Sequence, residues 1–432
     1  MTTPSPASQA TSIPAIYGRV DFSITPERFA AEPGAQTEIE PRFAAQRPEL
    51  LANKEQVTRI QAYTMMGDPV ADAYAALIAE HGFERLVTML QQACDQGLES
   101  VAGAPPELVR FIREMDRLPR WLDPKLIEEG ARLERSAYAN RAPFVMRGGF
   151  IGTFLNKYSA LPMVLTGALS HKSAGRRMKE TAVFFTSLVM PNALDRQSSA
   201  FKSAAMVRLM HSIVRFNLLH GGEQWDVKTY GIPIPQVDQL PAGLLSVSPL
   251  AEKAFEQGRT SFTPAERARV ELARYRCFLL GLPAELLADT PQGITGILLT
   301  RHATLRKGFD DSCIDLIRAT MDADLTPDHS LPSRLHQWME RGFAKVYFVP
   351  KFLRGGRNAS PAVHVGLADY SGTAAAEILI AIRMTAYAIA ERIPGLSGAA
   401  DRSLVRKLKR QLKQYGHAEF TTNANAYRAA RA

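Results

Sequence analysis

Cysteine is scarce in this chain: 432 residues hold three, Cys94, Cys277 and Cys313, far apart and without a CxxC pair. An odd, dispersed set excludes a disulfide framework and a structural zinc site. Cys277, in Arg274-Tyr275-Arg276-Cys277-Phe278-Leu279, reads as a packed helix residue. The first twenty residues lack an apolar core and a twin arginine, so the expected compartment is the cytoplasm. Eighteen uncharged apolar residues never occur in succession, and a membrane-crossing helix is therefore not expected. No sustained Val/Ile/Thr alternation points to a sheet, and no internal repeat is evident. Nucleophile elbow, HExxH and phosphate-binding glycine motifs are all missing, which excludes the common hydrolase, zinc-protease and nucleotide folds. Arg354-Gly355-Gly356-Arg357 most simply forms a basic turn. Of the histidines, His81, His302, His329, His336, His364 and His417 have no second ligand one helical turn away.

What the chain does have is helix. Apolar residues recur at helical spacing over 68–80, 83–96, 106–118, 123–144, 176–190, 199–219, 293–308, 312–321, 331–343 and 374–390. Asp123-Pro124 reads as an N-cap followed by a first-turn proline, and Thr263-Pro264-Ala265-Glu266 as a capping box opening a helix through Leu280. Residues 226–241, with Gly231, Pro233, Pro235 and Pro241, read as a loop. The expectation is an all-α protein with a single large helical domain over 51–400, an N-terminal extension over 1–50 wrapping the core, and a basic segment over 401–432. The formal net charge is +9. Much of the excess lies in that last segment, where Arg402, Arg406, Lys407, Lys409, Arg410, Lys413, Arg428 and Arg431 face only Asp401 and Glu419. A solvated helix face is its simplest reading, and peripheral contact with an anionic membrane its functional one. Nucleic acid is not an expected partner, because no aromatic residues interleave the charges.

The most informative stretch is Arg208-Leu209-Met210-His211-Ser212-Ile213-Val214-Arg215. Arg208, His211 and Arg215 fall along one stripe of a helix that is otherwise nearly all apolar. Two guanidinium groups facing an interior demand anionic partners. A haem meets that demand, with iron on the imidazole and propionates on the arginines. From the pattern alone, a hydrogen-bonded core histidine is the competing reading. His220 stands at the helix end, where a capping role suits it.

The R-x-x-H-x-x-x-R arrangement resembles the signature of latex-clearing proteins (rubber oxygenases) and mpaB-type oxygenases, b-type haem proteins in which this histidine is the proximal ligand. The resemblance implies a haem b buried between helices, with iron on His211 and Arg208 and Arg215 at the cofactor. It extends weakly over residues 118–390, through Leu118-Pro119-Arg120-Trp121-Leu122-Asp123-Pro124, Thr166-Gly167, Gly231-Ile232-Pro233-Ile234-Pro235-Gln236-Val237-Asp238 and Phe278-Leu279-Leu280-Gly281-Leu282-Pro283. Arg177, Glu180, Thr181 and Phe184 share one helical face, and Arg177 precedes His211 by 34 residues, the family's spacing. Arg177 and Thr181 match family positions on the haem-facing helix, with His171 nearby. The family's lysine is Glu180 here, and its substrate-side glutamate falls near Leu161. Secreted relatives carry export signals, which this sequence does not show.

The implied activity is that of a haem b-dependent oxygenase. Dioxygen and an apolar, unsaturated, isoprenoid-like molecule or lipid would be its reactants, an electron donor an optional partner, and oxidative C=C cleavage the reaction. Arg177, Thr181 and Glu180 would be catalytic, and Phe150, Leu155, Leu161, Phe184 and Phe185 would wall the substrate channel. A peroxidase or peroxygenase using Arg177 and Glu180, a non-catalytic haem carrier or sensor, and a cofactor-free structural protein are the alternatives.

Overall fold

The computed structural model describes residues 5–166, 173–221, 225–326, 328, 330–353 and 363–416. Gly167, His171, His329, the Arg354–Arg357 turn, His417 and the rest of the basic segment beyond 416 lie outside the described residues. The fold is all-α: the extended pairings among the described residues are two isolated bridges, Phe29 with Leu305 and Thr37 with Arg306. In chain order the principal helices are α1 (Lys54–Tyr63), α2 (Pro69–Ala75), α3 (Phe83–Gln96), α4 (Pro106–Asp116), α5 (Pro124–Asn140), α6 (Ala142–Ile151), α7 (Lys157–Leu165), α8 (Ala174–Ser187), α9 (Ser199–His220), α10 (Gln236–Leu244), α11 (Pro264–Leu279), α12 (Pro291–Thr304), α13 (Asp311–Asp322), α14 (Leu331–Leu353), α15 (Leu367–Arg392) and α16 (Ser397–Tyr415).

Local chemistry sets the helix starts. Asp123 Oδ1 accepts from the Lys125 and Leu126 amides at 2.8 and 3.3 Å, and Thr263 with Glu266 closes the expected capping box ahead of α11. Two readings need correction. Residues 226–241 are not an open loop, since α10 begins at Gln236 and carries Pro241 inside it. Pro235 supplies the extended N-cap, and the Val237 carbonyl that Pro241 leaves without an amide donor accepts from Arg301 Nε at 2.8 Å. The stretch 123–144 is two helices, broken at Arg141 ahead of Pro143.

The described residues gather into two compact units. One holds those up to Gly130 and Leu194–Lys307, the other Ala131–Ala193 and those from Gly308 onward. In the first, α9 is buried over most of its length, with Ala204, Ala205, Leu209 and Ile213 wholly inaccessible. The N-terminal residues belong to this core: Gln9 donates to Met65 O at 2.9 Å and accepts from Gly67 N at 2.9 Å. Arg47 donates to the carbonyls of Ala30, Pro33 and Ala303.

In the second unit, Arg147 is completely buried and donates to both Glu340 carboxylate oxygens and to the carbonyls of Thr320, Met321 and Ala323. That arginine ties α6 to α13 and α14. Here α15 is long and apolar enough to cross a membrane, yet only about a tenth of its most apolar window is buried. It passes by length and composition alone, since the charges at Glu377 and Arg383 interrupt the apolar run without removing its apolar character.

Candidate functional site

At 100° per residue, Arg208 and Arg215 lie about 20° apart on α9, whereas His211 is rotated about 60° from Arg208. The structure separates the three accordingly. Arg208 Nε and Nη2 reach Asp68 Oδ2 and Oδ1 at 2.6 and 2.8 Å, and its guanidinium lies 5.0 Å over the Phe111 ring. Arg215, wholly inaccessible, donates to Asp72 Oδ1, to Pro233 O at 3.0 Å and to Ile234 O at 2.7 Å. The anions that the buried guanidinium groups demand are thus Asp68 and Asp72 on the adjoining α2. Within the chain, these carboxylates balance both guanidinium charges.

Both aspartates do further work. Asp68 Oδ1 caps α2 by accepting from the Val70 and Ala71 amides. Asp72 Oδ2 accepts from Tyr17 OH at 2.5 Å, and burial together with the Asp72 charge pushes the Tyr17 phenol well up, so it stays a donor. Each ion pair is roofed by a glycine. A Cβ on Gly281 would stand 2.6 Å from Asp68 Oδ2 and 2.8 Å from Arg208 Nε, and one on Gly67 would strike Tyr17 OH and Asp72. Ile234, whose carbonyl Arg215 holds, has φ +49, a left-handed conformation that a β-branched residue adopts only under constraint.

His211 turns instead to α10. Its Nδ1 lies 3.3 Å from Oε1 of the buried Gln239. An amide oxygen only accepts, so the contact favours the tautomer protonated at Nδ1, with the lone pair on Nε2. That is the arrangement by which a second residue orients a metal-ligating imidazole. His220 Nδ1 meets Phe216 O at 2.9 Å and its ring stacks on Phe216 at 4.4 Å, the capping role its position suggests.

Arg177, Glu180 and Thr181 lie on α8, in the second unit. Arg177 Nη1 donates to Glu180 Oε2 at 2.9 Å, and Arg176 Nε stands 3.9 Å from Oε1, which is buried and accepts no hydrogen bond. Burial pushes the Glu180 carboxyl above the ordinary glutamate range, opposed by the Arg177 charge. Thr181 is half-buried one residue on. Phe150 and Leu155, expected to wall a channel, are partly buried and pack against apolar clusters holding Phe154, Met178 and Leu316, and Ile151 and Ile317. Phe184 and Phe185 meet edge-on at 5.1 Å, and Leu161 is half-buried. The three cysteines are buried as free thiols. Among the described residues, no His/Cys/Asp/Glu group could hold a metal by protein ligands alone.

Sequence reasoning missed Asp68, Asp72, Tyr17 and Gln239. The spacing of Asp68 and Asp72, one turn apart at a helix start, was the available signal for the first two. Tyr17 and Gln239 lie in segments without strong periodicity and left none.

No curated protein sequence matches the chain. A solved structure of latex clearing protein LCP in the closed state is similar in fold, with a TM-score of 0.56 and 18% identity over 81% of this chain and 91% of that one. The family model described as ER-bound oxygenase mpaB/B′/rubber oxygenase, catalytic domain, matches residues 137–355, a span that includes Arg177, Glu180, Thr181 and the whole α9 signature. With half its length so matched, the chain belongs to the mpaB/rubber oxygenase catalytic-domain family.

Proposed function

We propose that this protein is a haem b-dependent oxygenase whose iron is held by His211 and whose substrate is an apolar, unsaturated molecule of isoprenoid type. The observation that carries the reading is the His211–Gln239 contact on a helix locked by two buried Arg–Asp pairs. The donor set would suit holding a haem iron, since Nδ1 is engaged and the contact favours the tautomer with its lone pair on Nε2. Arg208 and Arg215 enter as positioning residues that hold α9 against α2. Their bonds to Asp68 and Asp72 fix that position on the side of α9 that the resemblance turns toward the cofactor. When bound, haem supplies dioxygen binding and activation.

The chain's own residues supply orientation and protons. We assign Arg177 and Thr181 to hydrogen bonding with oxygen, and Glu180, its carboxyl raised by burial, to holding a proton. Cleavage of a C=C bond by O₂ places one oxygen atom in each of two carbonyl products, so the reaction balances without an external reductant. The position matching the family's closing lysine is Glu180, and a lysine-capped resting iron is not expected here. An apolar substrate would be drawn from lipid, which suits peripheral membrane contact through the basic segment over 401–432.

The Arg177–Glu180 pair supports one second reading, a peroxygenase in which it polarises peroxide. Turnover of an unsaturated isoprenoid oligomer to carbonyl products distinguishes the two. The oxygenase requires air and is indifferent to added peroxide, whereas the peroxygenase works under nitrogen with peroxide. Thr181→Val should lower the air-dependent rate at unchanged haem content, and an undiminished rate would remove Thr181 from the site.

A further inference from the structure

In the second unit, α15 leaves a long apolar face uncovered. Ile378, Ile382 and Ile389 are 61, 63 and 54% exposed and fall within about 40° of one another around the helix axis. The stripe continues past the helix end through the exposed Ile393 and Leu396. An apolar stripe of this length on a soluble surface marks an interaction site. The opposite side of α15 is occupied, because Gly372, Thr373 and Ala376 are buried and Trp338 Nε1 of α14 donates to Ala368 O at 2.9 Å.

Immediately after Leu396, α16 begins. It packs through Ala400, Leu404 and Leu408, while Arg402, Arg406, Lys409 and Lys413 stand exposed at i, i+4, i+7 and i+11, on the side facing away from that packing. The acid of this helix, Asp401, is taken by Arg135 at 2.8 Å, so the cationic stripe has no carboxylate of its own helix to balance it.

We infer that α15 and α16 together form a docking surface for an anionic lipid bilayer. The α15 isoleucines enter the headgroup boundary, and the α16 cations bind lipid phosphates. A basic helix joined to an unpartnered apolar stripe is the composition that lies in a membrane interface. Charge decides against a second copy of this chain. A symmetric pairing would set two chains of formal net charge +9 against each other, whereas an anionic surface neutralises the exposed cations. The inference rests on the proposed apolar substrate only for its purpose. Its geometry stands without it.

The test is co-sedimentation of the full-length protein with phosphatidylcholine vesicles, with and without phosphatidylglycerol, scored by the protein band. Binding is expected with phosphatidylglycerol, weak without it and reduced by salt. Arg402→Gln with Arg406→Gln should weaken it about thirtyfold, and Ile382→Ser with Ile389→Ser at least about tenfold. The four sites are exposed, and an unchanged circular dichroism spectrum confirms each fold. Failure to bind phosphatidylglycerol vesicles, binding insensitive to both pairs, or a dimer in solution that Ile382→Ser dissociates would each overturn the proposal. The protein band reports binding whether or not haem is present, so failure here and failure of the oxygenase reading are separate results.

Discussion

The buried guanidinium of Arg215 has its charge answered by Asp72 and two further donors taken by carbonyls. Replacing it with Met removes one partner of a fully desolvated pair and strands the other. Chemical denaturation should show a loss of about 3–5 kcal/mol, and the Asp72→Leu/Arg215→Met double variant less than the two single losses combined. The demand for a counter-charge was legible in the α9 sequence. Its source was not, because Asp68 and Asp72 lie some 140 positions earlier and look like ordinary helix-start carboxylates. Glu180 carries the sharpest pH expectation. Its carboxyl is raised by burial, so the folded state holds a proton that the unfolded chain has released. Stability from that proton is present at acid pH and lost as pH rises through the raised value. Glu180→Gln, neutral throughout, should therefore show a shallower fall in Tm on leaving acid pH, and parallel profiles would place the shift elsewhere.

Some helix bounds were readable to the residue: α3 runs over the expected span without a side-chain cap, and α11 starts at its capping box. Stripe reasoning was coarser. Residues three and seven apart share a broad face, yet the 60° between Arg208 and His211 sends one side chain to α2 and the other to α10. The proline-rich stretch misled because punctuation by Gly231, Pro233 and Pro235 also builds the turn that presents the carbonyls held by Arg215. The α2–α9 contact depends on close approach at glycine. Gly281, at φ +81, faces both Asp68 and Arg208, so Gly281→Ala combines backbone strain with a clash against an ion pair. The expected loss is at least about 2 kcal/mol in the unfolding midpoint analysis, and a neutral result would mean the pair can shift aside.

At the scale of the molecule, the all-α class and the family were both legible. Helical periodicity runs nearly throughout, and the α9 signature with its 34-residue partner lies within the matched family span. The division into two units was not, since the chain passes between them at Gly130, inside α5, with no linker composition to mark it. The apolar character of 374–390 was legible too, but not that Ile378, Ile382 and Ile389 stand exposed, since periodicity does not say which face a neighbour covers. The central claim is that His211 holds a haem, and haem retention tests it most directly. Soret absorbance per protein should be stoichiometric for the purified wild-type chain and nearly absent for His211→Ala, at matching circular dichroism. An unaltered Soret band in His211→Ala, or a correctly folded wild-type chain that takes up no haem, would contradict the account.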